Sequence, residues 1–435
     1  MLRGIKIRLY PNKNQEVVLN QHLGSYRYVY NNLLSLKSNT YNETKENLGL
    51  TELSKHFHNV MLKNEETPWL KEQNTKVMKQ AIRQLMTAYT NFFTHKRGFP
   101  KFKSKKDNKQ SCLFSLEAIS KRNTFETKHI TLIKSLKNVK FRCSDLYHRR
   151  LRDYKDNIKS ATLTRTKSGN YFLSVLVDIP EHELVKFKNT NRNVGVDVGV
   201  KDFLVTSDGE VFPNKRFTSS NDKKLKKLHR ELSRKQNGSK NKDKARIRLA
   251  RFSEKIVNQK GAYLHSVVNS LLSDYDIIFM EDLNVKGMMA NHKLARSVQE
   301  LSLFRFKGIC KYKSVLNNKM VVEIDRWFPS SKLCNVCGFK NKFLSLSDRS
   351  WVCPECRTEH NRDLNAALNI LSEGEKIIGS DASNLTVGHR MPEFTLVEIG
   401  SVDDPCDSNV TLLKSTQSLK QEIEMNEKIG NTNFL

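Results

Sequence analysis

The sequence predicts a mixed α/β chain of at least two domains, one of them interrupted by a small metal-bound ribbon. Three observations carry that expectation: an apolar period that switches between two and about 3.6 along the chain, a pair of CxxC steps, and three isolated acids at the ends or centres of apolar segments. At 435 residues the chain also exceeds the size at which a single core usually stops growing.

The CxxC steps, Cys334/Cys337 and Cys353/Cys356, stand fifteen residues apart. Four thiolates at this knuckle-loop-knuckle spacing fold a chain around one tetrahedral zinc ion. Gly338 follows the first pair, where a tight turn benefits from a residue without Cβ, and Pro354 lies inside the second. A four-thiolate site leaves no open coordination position, so this zinc is expected to shape the chain and do no chemistry. Cys112, Cys143, Cys310 and Cys406 are scattered, as reduced thiols of an intracellular protein would be.

The formal net charge of +29 points to a polyanionic partner. No run of eighteen apolar residues and no signal-peptide core occur, so a soluble, cytoplasmic chain is expected.

Taken in order, Ile5, Ile7 and Leu9 alternate with polar residues and read as a half-buried strand stopped at Pro11-Asn12. The period then becomes helical. Val18, His22, Tyr26, Val29, Tyr30 and Leu33 recur at three- and four-residue steps, as do Leu53, Phe57 and Val60, and Met78, Ala81, Leu85, Ala88 and Phe92. Residues 14–95 are thus expected to form a small helical unit. On such faces Tyr26, Tyr30, Phe92 and Phe93 read as core rather than as platforms for stacked bases. Between Lys96 and Lys109, Phe99 and Phe102 sit among lysines, a pattern that suits phosphate contact by Lys101 and Lys103 as well as a plain charged loop. From Ile130 to Asp178 the period is again two, with a turn at Ser168-Gly169-Asn170. The economical reading is a β unit with a helical insertion after its first strand.

A new domain begins at Val194. The apolar strand Val194–Val200 carries Asp197 at its centre, and Asp202–Thr206 and Glu210–Phe212 continue it as a hairpin. Leu264, Val267, Val268, Leu271 and Leu272 mark a helix leading to a second buried strand, Ile277–Met280, which ends at Glu281-Asp282. Met320–Ile324 is another strand, and Asp363 heads a closing Ala-rich helix. A carboxylate within an apolar strand is costly unless a cation pairs with it. Strand, hairpin, helix and strand, with acids at these places, is the order of an RNase H-like domain. Such domains gather three carboxylates around two divalent ions to hydrolyse phosphodiesters, and Asp197, Glu281 and Asp363 are the candidates, with Mg²⁺ or Mn²⁺ as the matching ion.

Four stretches resemble one family. GVDVGVKDFLVTSDG at Gly195, MEDLNVKGM at Met280, DRWFPSSKLCNVCG at Asp325 and WVCPECRTEHNRDLNAALNI at Trp351 are similar to the TnpB family, also called OrfB transposases, of bacterial insertion sequences. These proteins are in turn similar to the RuvC-type core of type V CRISPR effectors. The likeness covers about residues 1–372, including IKIRLYPNKNQ and GFPKFKSK. It implies an RNA-guided, divalent-metal-dependent DNA endonuclease that acts on double-stranded DNA at the bacterial nucleoid. It implies too a split β-barrel wedge (residues 1–10 and 96–185), a helical recognition insert (11–95), a RuvC-like nuclease domain (190–329 and 358–379) and a zinc ribbon (330–357). By motif position Asp197, Glu281 and Asp363 would be the three RuvC acids. Asn335 stands where the family often has Ser, and Asn361 where it often has Asp.

Between the hairpin and the helix, Asp222–Lys260 holds fifteen Lys or Arg against four acids. That excess favours contact with a nucleic-acid backbone, by Lys223, Lys224, Lys227, Arg230, Arg234, Lys235, Lys244, Arg246, Arg248 and Arg251. Residues 380–435 reverse the sign, with nine acids against four bases, and read as a mostly disordered tail. Two other functions fit the same domain: a transposase that joins strands itself, and a guided DNA-binding repressor that does not cut. The second would need a broken acid triad, and all three acids are present.

Overall fold

The computed structural model describes residues 1–95, 97–107, 109–115, 125–183, 187–345, 348–381 and 396–397. The chain divides into two compact units, the first ending at Glu183 and the second beginning at Leu184.

In the first unit, β1 (Leu2–Tyr10) is followed by helices Lys13–Thr44, Leu50–His56 and Thr75–His95. Asn12 starts the first helix with a reciprocal cap: its side chain accepts from the Gln15 amide, while the Gln15 side chain accepts from the Asn12 amide, both at 2.9 Å. Of the predicted stripes, Tyr26, Val29, Leu33, Leu53 and Phe57 are buried at 0–1 % exposure, whereas Val18 is half-buried, its neighbour Leu19 taking the core position, and Val60 is 51 % exposed. The sheet of this unit comprises β2 (Lys109–Ser115), β3 (His129–Ile130), β4 (Val139–Arg142), β5 (Ile158–Thr166) and β6 (Tyr171–Asp178) together with β1, in the order β2-β5-β6-β1-β4-β3. All of these pairings are antiparallel. Among the described residues the path is open, since its ends, β2 and β3, do not pair. Within this β unit lies a helix that alternation did not reveal, Asp145–Asp153, capped by Ser144.

The second unit is built on β7 (Asn193–Asp197), β8 (Asp202–Thr206), β9 (Val211–Pro213), β10 (Ile277–Glu281) and β11 (Met320–Ile324), in the order β11-β10-β7-β8-β9. β10 runs parallel to both β7 and β11, whereas β7, β8 and β9 are antiparallel. Asp197 is therefore the last residue of its strand, not the centre of one reaching Val200. The chain turns there into the hairpin, and the Gly199 amide donates to the Phe203 carbonyl.

Side chains alternate across these strands. Val194 and Val196, with Ile278 and Met280, face a core completed by Leu264, Val268 and Leu271 of the long helix Lys240–Asp274. Phe279 faces the other way, onto Ile370 of the closing helix Arg362–Asp381. Gly195 shares that second face, and a Cβ there would fall 2.1 Å from the Ala367 carbonyl oxygen and 2.5 Å from the Leu371 nitrogen. The closing helix thus lies directly on the β7 backbone. Gly195→Ala is expected to lower the thermal unfolding midpoint of this unit through overpacking of about 1–3 kcal/mol; an unchanged midpoint would show that the helix has room to move.

The closing helix runs to Asp381, two residues past the expected 379. The disorder expected of 380–435 falls outside the described residues, except that Ser380 and Asp381 end this helix and β14 (Leu396–Val397) pairs in parallel with Arg3 and Gly4. No helix of the described residues is long and apolar enough to cross a membrane.

Candidate active site and metal ribbon

Strand register places two of the three acids. Met280 pairs with Val196 in the parallel β10–β7 ladder, so the next residues, Glu281 and Asp197, end neighbouring strands side by side. Both share the sheet face covered by the closing helix, whose first turn carries Asp363. Asn361 caps that turn, its Oδ1 accepting from the amides of Asp363 and Leu364 at 3.1 and 3.2 Å. An asparagine caps as well as an aspartate, which accounts for the departure at this position.

All three carboxylates are half-buried. Burial, and then the negative charges of Glu281 and Asp363, push the Asp197 carboxyl up to about 7, against the opposing pull of Arg362. Burial also raises Glu281, while the Ser330 hydroxyl donates to its Oε1 and opposes the rise. Asp363 lies 3.6 Å from the Arg349 guanidinium. The adjacent Asp282 is a useful contrast. It bonds Arg326 and, at 2.7 Å, Lys307, and these partners hold its carboxyl down at about 2. Lys307 also pairs with Glu323 at 2.9 Å. Asp282 is thus a neutralised ion-pair partner, whereas Asp197 and Glu281 keep an excess of negative charge. Carboxylate oxygens are the donor type that a hard divalent cation takes, whereas among the described residues only the four cysteines bring their ligand atoms within 4.8 Å of one another.

The four cysteine sulfurs all lie within 4.8 Å of one another. Cys334 and Cys356 are 3.5 Å apart, and Cys337 and Cys353 are 3.6 Å apart. A tetrahedral ion with Zn–S bonds of about 2.3 Å requires sulfurs roughly 3.8 Å apart, so the donor set fits zinc. The two knuckles share one backbone form. The amides of Cys334 and Cys353 donate to Phe339 and Thr358, and those of Gly338 and Arg357 donate back to Cys334 and Cys353, at 2.9–3.0 Å. Gly338 and Arg357 both adopt positive φ, +77° and +61°. Glycine takes that conformation freely and arginine does not. β12 (Ser350–Val352) and β13 (Glu359–Asn361) pair behind the second knuckle, and His360 on β13 brings its Nε2 to 3.0 Å from the Cys334 sulfur.

Of the basic candidates, Lys101 lies in the first unit and is exposed. Lys103 is the exception to its expected role. Its ammonium bonds Gln84 at 2.6 Å and sits 4.5 Å from the Tyr30 ring centre, and burial pushes it down to about 8. Its ammonium is thus turned toward the buried rings of Tyr26 and Tyr30. Tyr26 and Tyr30 are core as expected, whereas Phe93, Phe99 and Phe102 are 50–69 % exposed, and Phe92, Phe93 and Phe99 make edge contacts at 5.0–5.4 Å. In the second unit Lys223, Lys224, Lys227, Arg230, Lys244, Arg246, Arg248 and Arg251 are exposed along helices Asp222–Ser233 and Lys240–Asp274, and Arg234 and Lys235 are exposed in the turn between them. Several are engaged within the chain, among them Arg246 with Asp243 at 3.1 Å, Arg248 with Glu231 at 3.5 Å, and Lys224 over the Phe252 ring at 4.6 Å.

Residue-type reasoning missed Ser330, Asn365 and Asn369, which tie the ribbon to the acids. One signal was available: two asparagines four residues apart on the apolar stripe of an Ala-rich helix.

Comparison with known proteins shows the family of the chain. A protein of Streptomyces pristinaespiralis that carries the provisional name RNA-guided DNA endonuclease is 32 % identical over 374 residues, 86 % of this chain and 89 % of that one. The chain belongs to the TnpB family. InsQ of Escherichia coli, provisionally named in the same way, is 26 % identical across 87 % of this chain and 93 % of its own. Family models match at residues 174–292 (a probable transposase, IS605 OrfB type), 304–370 (the Cas12f1-like TNB domain) and 1–46 (a helix-turn-helix domain). In this chain residues 1–46 form β1 and one uninterrupted 32-residue helix, not two helices joined by a turn. Among solved structures, Cas12f1 from its complex with guide RNA and target DNA aligns with a TM-score of 0.50 at 15 % identity, covering 83 % of each chain. The mini-endonuclease Cas-phi3 aligns with a TM-score of 0.51 at 11 % identity, covering 86 % of this chain and 92 % of that one. These two likenesses concern the fold.

Proposed function

We propose that this TnpB-family chain is an RNA-guided, divalent-metal-dependent DNA endonuclease. The observation that carries the proposal is the placement of Asp197 and Glu281 at the ends of neighbouring strands, with Asp363 in the first turn of the helix on the same face. There burial and then the charges of Glu281 and Asp363 raise the Asp197 carboxyl to about 7. The strand order β9-β8-β7-β10-β11, antiparallel then parallel, supports reading that sheet as an RNase H-like, RuvC-type core. The open sheet of the first unit would be the wedge, and the helices between β1 and β2 the recognition insert.

The three carboxylates would hold Mg²⁺ or Mn²⁺, which when bound activate water and stabilise the leaving oxygen of a phosphodiester. The acids themselves supply the negative, partly desolvated cradle, and Ser330 orients one of them. Zinc would sit on Cys334, Cys337, Cys353 and Cys356. The exposed bases of Asp222–Ser233 and Lys240–Asp274 offer phosphate contacts that position a duplex without reading it. Sequence choice would then come from base pairing by a bound guide RNA, beside a short DNA motif read by the protein.

Purified protein without RNA is therefore expected to leave defined DNA uncut, and the same protein with its co-purifying RNA and Mg²⁺ to cut it at fixed sites. Exchanging the guide segment should move those sites. Site-specific cutting by RNA-free protein would instead mark a self-reading nuclease, and strand joining would mark a transposase.

A further inference from the structure

The first cysteine knuckle and the acid site share a set of buried hydrogen bonds. Asn369 Nδ2 donates to the carbonyls of Ser330 and Leu333 at 2.7 and 2.8 Å. Asn365 Nδ2 donates to the same Leu333 carbonyl at 2.7 Å, and its Oδ1 accepts from the Asn335 amide at 3.1 Å. Two side chains of the closing helix thus grip the backbone on both sides of Cys334. They follow Asp363 by two and six residues on that helix. The gripped segment begins with Ser330, whose hydroxyl donates to Glu281. Asn365, Asn369 and Ser330 are 1 %, 7 % and 6 % exposed, so water does not stand in for any of these bonds.

Packing alone does not call for this chemistry. Asparagine is among the poorer helix formers, and a buried amide is unfavourable unless its hydrogen bonds are made. What these residues accomplish that an alanine or leucine would not is to fix the position of the chain at 330–335 relative to the helix. Opposite them the same helix rests on β7 through the close approach at Gly195. The closing helix is therefore held from one side by the strand that ends in Asp197 and from another by the metal knuckle.

We infer that the cysteine ribbon is a positioning frame for the acid site: Asn365 and Asn369 hold Asp363's helix against the first knuckle, and Ser330 orients Glu281. This rests on the reading of Asp197, Glu281 and Asp363 as ligands of a divalent cation. Residues that orient metal ligands from behind typically alter metal affinity by about ten- to a hundredfold when removed, and tolerances at such sites are on the order of 0.5 Å.

The test uses the full-length protein freed of RNA, with Mn²⁺ binding followed by electron paramagnetic resonance and zinc by elemental analysis. Ser330→Ala and Asn369→Ala are each expected to weaken Mn²⁺ binding by roughly tenfold or more while keeping the parent's zinc content and guide-RNA affinity. Should Asn369→Ala fail to fold, Ser330→Ala decides the matter, because it removes a single hydroxyl. Mn²⁺ affinity equal to the parent's in Ser330→Ala would overturn the frame, and so would loss of zinc from that variant, which would indicate general collapse of the segment. Asp197→Ala separates this from the underlying reading. If it binds Mn²⁺ like the parent, the acid site itself is misassigned; if it loses Mn²⁺ and Ser330→Ala does not, only the frame is wrong.

Discussion

Asp197→Ala is expected to reduce guided DNA cleavage on the order of 10⁴-fold, the scale seen when a member of a catalytic set is removed, with nucleic-acid affinity nearly unchanged. Burial, together with the charges of Glu281 and Asp363, lifts the carboxyl that the substitution deletes to about 7. That clustering of charge is unfavourable unless a proton or a cation offsets it. The proposed phosphate contacts, by contrast, lie on helices Asp222–Ser233 and Lys240–Asp274, among residues other than the three acids. Binding and cutting should therefore separate. Asp282→Asn provides the control: that acid is already neutralised by Arg326 and Lys307, so cleavage should persist while stability falls. The readout is cleavage of a guide-matched duplex beside filter or gel binding of the same duplex. Full cutting by Asp197→Ala would remove it from the site.

Much of this architecture could be read from local signals. Alternation exposed β1, β5, β6, β10 and β11 because one or both faces of each are buried, and the 3.6-residue stripe exposed the first helix because Leu19 to Leu33 fill one core. The four cysteines were legible because metal geometry fixes their spacing. The acids were legible because a charge beside Val194 and Val196, or at the end of Ile277–Met280, contradicts its surroundings unless it has a purpose.

What escaped the sequence depends on distant partners. Strand order is set by pairings such as β10 with β7, more than eighty residues apart in the chain, for which periodicity carries no sign. Asp145–Asp153 was taken into a β unit because its apolar residues are few, although Ser144 is a good N-cap. Lys103 looked like its neighbours Lys101 and Lys105, and only the tertiary packing of Tyr26 and Tyr30 turns it inward. Asn365 and Asn369 carry meaning only through the carbonyls of Ser330 and Leu333, some thirty to forty residues earlier.

Cys334→Ser is expected to empty the ribbon. Cys334 is 2 % exposed, lies 3.5 Å from Cys356 of the second knuckle and has His360 at 3.0 Å, and a neutral serine hydroxyl is a far poorer zinc donor than the thiolate it would replace. Structural zinc supplies about 10–16 kcal/mol to domains of this kind at neutral pH. The apolar cluster that would have to substitute for it is small: Leu344 and Trp351, with Phe339 packed on their edge. Elemental analysis should therefore fall from one zinc per chain to none. Tryptophan emission should shift to the red, because Trp351 is 8 % exposed in the folded ribbon while Trp327 is already 83 % exposed. The effect should also travel. Leu333, whose carbonyl receives both Asn365 and Asn369, immediately precedes the substituted residue, so releasing the knuckle loosens the helix that begins at Asp363. Cleavage should drop although the zinc thiolates are not among the three acids, and guide-RNA binding should remain. A zinc-free protein that cuts at the parent rate would show that the closing helix keeps its place without the ribbon.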